Sequence, residues 1–259
     1  MVAELRKTGV AEDIRQAFVV SRYEQIKYFS GLKMLIYGVI VAAVLILLAV
    51  SQIIFMRDST HEQITGLYVG FTAMLALLGA TLFASTTLSS EFEERTALIL
   101  FTKPIRKSSI FLGKFVTSFM INVVIMALYY IVVAILSLIL SGEVSPRLLE
   151  SYGYLVMYIF AVTGIAMMFS SLMKRSSSAA VLTFIFLLLG PSLILSILMI
   201  AQGNMNPDDY WYFIDSARSA ISYAVLDKSV DAAKVVGTLF VWGIIPTVIA
   251  FFRFNRREL

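Results

Sequence analysis

Eight charged side chains, Glu91, Glu93, Glu94, Arg95, Lys103, Arg106, Lys107 and Lys114, crowd the stretch SSEFEERTALILFTKPIRKSSIFLGK at residues 89–114. Adjacent glutamates can act as acid and base, but the Glu-Glu-x-x-x-Arg arrangement of intramembrane glutamate proteases needs arginine at 98, where Leu98 stands. A phosphate loop ending at Gly113-Lys114 would need glycine at 108 and Ser or Thr at 115, where Ser108 and Phe115 stand. His61 is the single histidine, with no acid and serine arrangement around it, and cysteine is absent. These residues supply no nucleophile with a base and no metal-ligand spacing. The chain is therefore not expected to be an enzyme or to hold a cofactor of its own. What the cluster can do is form ion pairs, within the chain or with a partner.

The elements that must position it are apolar. Hydrophobic residues make up 59% of the 259 and charged residues 15%, and the mean hydropathy of +0.86 exceeds what a soluble fold can carry on its surface. The reading is an all-α membrane protein with one membrane domain, residues 1–259. Crossing a hydrocarbon layer of about 30 Å takes about 20 helical residues. Six runs qualify, at about 34–56, 64–88, 115–140, 152–173, 179–202 and 235–252, and none contains Asp, Glu, Lys, Arg or His. An even number of spans puts both termini on one side. With the termini cytoplasmic, that side carries sixteen of the 21 Lys and Arg, and the other keeps Arg57, Arg147, Arg218, Lys228 and Lys234. This bias favours cytoplasmic termini and a cytoplasmic 89–114 loop in a multi-pass protein of the cell membrane. It also accounts for the pI near 9.2 without nucleic acid. Residues 1–18 lack the apolar core and small-residue site of a cleaved signal peptide.

Residues 1–33 form a cytoplasmic amphipathic segment. Val10, Ile14, Ala17, Phe18, Ile26 and Phe29 recur at mostly helical spacing, with Arg15, Arg22 and Lys27 available to water. It reads as an interfacial helix, either a plain anchor or an elbow pushing on the first span. The outer segment 203–234 carries a helix-start signature in Asn206, Pro207, Asp208 and Asp209, followed by an apolar face of Tyr210, Phe213, Ile214, Ala217, Ile221 and Ala224. It predicts an outer interfacial helix between spans five and six. Gly190-Pro191 and Pro246 are expected to break or kink their spans. Asn122, deep in span three, is expected to bond a neighbouring helix. The GLYVG at 66–70 permits close helix approach.

The opening stretch also resembles the signature that follows span two in type-2 ATP-binding-cassette permeases. Glu91, Glu94, Arg95 and Thr96 stand at its acidic and threonine positions, then Leu98 and Leu100, then Pro104 and Arg106, then Gly113 and Lys114 opening span three. SSLMKRSSSAAVL is similar to that family's basic-serine link between spans four and five, and FFRFNRREL to its tail after span six. Ala97 departs from the glycine often found there.

The resemblance implies a six-span permease subunit of an ATP-driven transporter, an exporter. It would pair with a second permease copy or paralogue and two ABC ATPase subunits that carry ATP and Mg. The helix after span two would dock in the ATPase, placing Glu91, Phe92, Glu93, Glu94, Arg95, Thr96, Leu98, Lys103, Pro104 and Arg106 at that contact. Phe92 and Leu98 suit apolar anchors, and the charges suit a register device. Spans two and five would line the pathway at the seam between permeases. The alternatives are a stand-alone carrier or channel, or a membrane scaffold that transports nothing. Carriers coupled to protons or sodium usually hold charges in their spans, which these spans lack.

Overall fold

A chain in lipid must satisfy its backbone polar groups internally, and long Leu, Ile, Val and Phe runs do so as helices. The computed structural model describes residues 10–55, 60–93, 106–203 and 206–256. Among these, the helices are α1 (Val10–Phe29), α2 (Leu32–Phe55), α3 (His61–Gly70), α4 (Thr72–Phe83), α5 (Ser89–Glu93), α6 (Lys107–Ser141), α7 (Leu148–Leu172), α8 (Ser176–Gln202), α9 (Ile214–Val225) and α10 (Ala232–Arg256). No strand occurs among the described residues. Among the described residues, six spans are long and apolar enough to cross a membrane: α2, the nearly continuous α3 and α4, α6, α7, α8 and α10.

Three elements differ from the sequence pattern in their bounds. Span three starts at Lys107, before its apolar run does, and Gly113, Lys114 and Thr117 in its first turns are buried under a contact with α1 that periodicity does not reveal. Span two ends its helix at Phe83, and residues 84–88 turn. There the Thr81 and Ser85 hydroxyls bond the carbonyls of Leu77 and Thr81, and the Tyr28 hydroxyl donates to the Phe83 carbonyl at 3.0 Å. Such side-chain bonds compete with the helical ladder. In the outer segment, Pro207–Tyr210 forms a 3-10 turn, and α9 begins only at Ile214 with Phe213 as its N-cap. The expected break at Pro191 is absent: α8 runs through it, as α10 runs through Pro246.

Helix α7 is the hub, with 72% of its most apolar window buried against 11% for α8 and 17% for α2. Its most extensive partner is α10, and the two approach at Gly164. A Cβ there would lie 2.5 Å from the Gly243 carbonyl oxygen and 2.6 Å from Thr247 Oγ1. The span formed by α3 and α4 is also largely enclosed, at 61%. Spans two and five therefore do not present alike: the first is core, the second faces outward. Asn122 bonds neighbouring helices, donating to the Ala76 carbonyl at 2.8 Å and accepting from the Tyr37 hydroxyl at 2.8 Å. Within the GLYVG stretch, Gly66 makes room for Leu226 of the same chain.

Gly164→Ala forces α7 and α10 apart and should cost about 1–3 kcal/mol, the usual penalty for overpacking. Gly153→Ala has nothing within 4 Å of the new Cβ and should leave the melting temperature in detergent unchanged or higher. Equal melting temperatures for the two variants would show that the seam is not tight.

Candidate functional site

Helix α5 contains five residues, too few to be stable alone. Its hold comes from the helices around it. The Leu88 and Ser89 amides donate to Ser170 Oγ of α7 at 3.0 and 3.1 Å. Glu91 accepts from Lys114 Nζ of α6 at 2.8 Å. Glu93 Oε2 accepts from the Ser176 amide at the start of α8 at 2.8 Å. Just upstream, Lys33 Nζ of α2 reaches Thr86 Oγ1 at 2.6 Å, and Tyr28 of α1 reaches Thr87 Oγ1. One short segment is thus tied to five other helices.

Lys114 is the centre of this arrangement. Its side chain is 2% exposed and bonds both Glu91 and Glu24 of α1. An ammonium withdrawn from water to this degree costs several kcal/mol unless paired, and here two carboxylates pair it. Helix α1 reaches the site because it lies along the first turns of α6. Gly113 permits that approach, since a Cβ there would meet the Ala17 carbonyl oxygen at 2.7 Å and Val20 Cβ at 2.8 Å. Ser21 Oγ then accepts from Thr117 Oγ1 at 2.8 Å. The apolar residues Ile14, Phe18, Ile26 and Phe29 point away from the protein, as an interfacial helix requires, while Ser21, Glu24 and Tyr28 face inward. Burial, and then the Glu24 charge, push the Tyr28 phenol up, so it acts as a neutral hydrogen-bond donor.

The residues expected to dock a partner separate into three groups. Glu91 is buried 8% exposed and turned to Lys114, and Arg106 pairs with Asp13 of α1 while its amide meets Gln16 Oε1 at 3.4 Å. Glu93 is exposed and Phe92 lies in α5. Glu94, Arg95, Thr96, Leu98, Lys103 and Pro104 lie outside the described residues. Sequence reasoning missed Glu24, Ser170 and the depth of Lys114. The signal for Glu24 was its place on the non-apolar face of α1, which pattern alone assigns to water.

Serine 176 also tunes the exposed end of α5. Hydrogen bonds from its side chain and backbone, with the nearby Arg175 charge, hold the Glu93 carboxyl below the usual carboxylate range. No hydrolytic or redox chemistry follows from these groups. They link α5 directly to α6, α7 and α8 by polar bonds.

Residues 40–259 match the family described as ABC-2 family transporter protein. The chain belongs to that family. Its members are membrane components rather than catalytic ones. The chain is also similar to an uncharacterized membrane protein of Bacillus subtilis (strain 168), YdbK, at 23% identity over 236 residues, covering 83% of this chain and 94% of that protein. Of the buried triad, Glu91 and Lys114 lie inside the family match and Glu24 lies before it.

Removing one partner of a buried pair strands charge, so Lys114→Met should cost about 3–5 kcal/mol. The triple change Glu24→Gln, Lys114→Met, Glu91→Gln should recover most of that loss. Unfolding in detergent checks both, and a triple variant no better than Lys114→Met would contradict the pairing. A second outcome concerns acid. A carboxyl whose folded pKa is lowered stabilises its contact above the unfolded pKa, near 4.3 for glutamate, and loses that contribution as pH falls through the folded value. The protection factor of the Ser176 amide, its exchange rate relative to the free-chain rate at the same pH, should therefore fall below that range, and Glu93→Ala should reproduce the loss at pH 7.

Proposed function

We propose that this ABC-2 family chain is the permease subunit of an ATP-driven exporter of the cell membrane. Two separate ABC ATPase subunits, which hold the ATP and Mg, would grip the cytoplasmic segment after span two. The observation that carries the reading is the fastening of α5 to α1, α6, α7 and α8 by Lys114, Ser170 and Ser176. A load placed on α5 has direct polar links to the ends of three spans, α6, α7 and α8. Family membership supports association with ABC ATPases.

The contact itself is assigned to Phe92, Glu93, Glu94, Arg95, Thr96, Leu98, Lys103 and Pro104. Glu91 and Arg106 serve it from behind, by holding the segment against α6 and α1. A second permease copy would seat on α8, the span least enclosed by its own chain. The uncharged Leu, Phe and Met content of the spans suits an apolar or amphipathic cargo. Both termini are assigned to the cytoplasm with α5, following the bias of basic residues.

The test is co-purification with a candidate ATPase and reconstitution of the complex. Phe92→Ala with Glu94→Ala should weaken ATPase binding by about thirtyfold, the loss of one hot spot of about 2 kcal/mol, with an unchanged melting temperature. Unchanged binding would remove the docking assignment. Full solute flux through the purified chain without any ATPase would favour a stand-alone carrier instead.

A further inference from the structure

Four described cations outside the triad pair with carboxylates: Arg106 with Asp13, Arg147 with Asp227, Arg218 with Asp215 and Lys234 with Asp231. Lys174, Arg253 and Arg256 are set apart by where they meet. They converge on one hollow of about 260 Å³, closed by Ser171 and Leu172, and among the described residues none of the three is paired with a carboxylate.

Two elements make the hollow. Arg253 and Arg256 stand one turn apart at the end of α10, so they share a face. Lys174 comes from the turn between α7 and α8. The negative end of the α10 dipole accounts for two arginines in its last turn. It does not account for their meeting a lysine from another element around a concavity. The position is also defined by polarity. Leu172, which lines the hollow, is an exposed apolar side chain, and the α10 apolar run stops at the exposed Phe252, next to Arg253 in sequence. Phe254 is buried against Phe111 of α6, which anchors the arginine-bearing turn. Cations above, apolar side chains beside, and an open hollow between them match a headgroup on an acyl chain.

We propose that Lys174, Arg253 and Arg256 bind the phosphate of an anionic glycerophospholipid from the adjoining leaflet. Arginine suits phosphate through its paired donors, and basic hollows between spans near a membrane surface take such headgroups. The same chemistry could be met by a soluble phosphate. The lipid is favoured because the apolar shoulder has no use for a free anion.

Native mass spectrometry and lipid titration of the full chain test this, with phosphatidylglycerol and phosphatidylcholine as probes. Phosphatidylglycerol should be retained in preference to phosphatidylcholine. Lys174→Gln, Arg253→Gln, Arg256→Gln together should weaken its binding roughly a hundredfold, about fivefold for each cation near the surface. Should the triple variant fail to insert, Arg253→Gln alone should still give the fivefold loss. The charge-preserving set Lys174→Arg, Arg253→Lys, Arg256→Lys should keep most of the affinity. Equal retention of both lipids by the unmodified chain, or unchanged phosphatidylglycerol binding in the Gln variants, would overturn the site. Inorganic phosphate that binds as tightly in phosphatidylcholine nanodiscs, with the same loss in the variants, would overturn the lipid assignment in favour of a soluble anion. Unchanged lipid binding together with loss of a partner ATPase would assign the cations to protein contact instead.

Discussion

The Lys114 ammonium, withdrawn from water between Glu24 and Glu91, is the constraint on which the α1 end of the bundle depends. A buried ion pair contributes little net stability compared with a hydrophobic substitute, because desolvation offsets much of the attraction. What it contributes here is register. A methionine could sit in the same space against several neighbours, but an ammonium between two carboxylates fixes α1, α5 and α6 in one arrangement. The alternatives would leave charge buried and unpaired. Helix α5 is too short to hold its own shape, so its position is set by this pairing and by the hydroxyl and amide bonds of Ser170 and Ser176.

Rigidity and exposure are divided among the spans. Helices α7 and α10 approach closely at Gly164 and Gly243, and Asn122 ties α6 to α2 and α4 by hydrogen bonds that lipid cannot replace. In a membrane, close packing of small residues and such polar bonds supply the association that water would otherwise drive. Helices α2 and α8 touch this centre along narrow faces and leave Leu, Ile and Val outward. A firm α7–α10 core with lightly held flanking spans is the frame that the proposed load on α5 would act against.

The charges at the α1 end of the bundle do three different things that one count of basic residues merges. Some are internal structure, as Lys114 is. Some fasten helices at the surface, as Arg106 does to Asp13. Others, Lys174, Arg253 and Arg256, meet no carboxylate among the described residues and are open to phosphate. The positive-inside bias is a sum over all three, so it favours one orientation without distinguishing their roles.

Sequence by itself determined the helical membrane class and the six apolar runs, because hydrocarbon thickness and backbone satisfaction leave few solutions for uncharged stretches of that length, while the family was legible only as a resemblance of the 89–114 stretch, the 170–182 link and the tail. It also marked Asn122 as a bond between helices, since a lone amide in lipid must find a partner. It could not place Glu24, which stands 90 residues from Lys114 on a face that periodicity assigns to water. Nor could it show that Glu91 turns inward while Glu93, two residues on, stays exposed. Those outcomes were decided by tertiary structure. Whether a charge is solvated or buried depends on which helices meet around it, and the Gly113 contact that brings α1 onto α6 leaves no periodic trace in the chain.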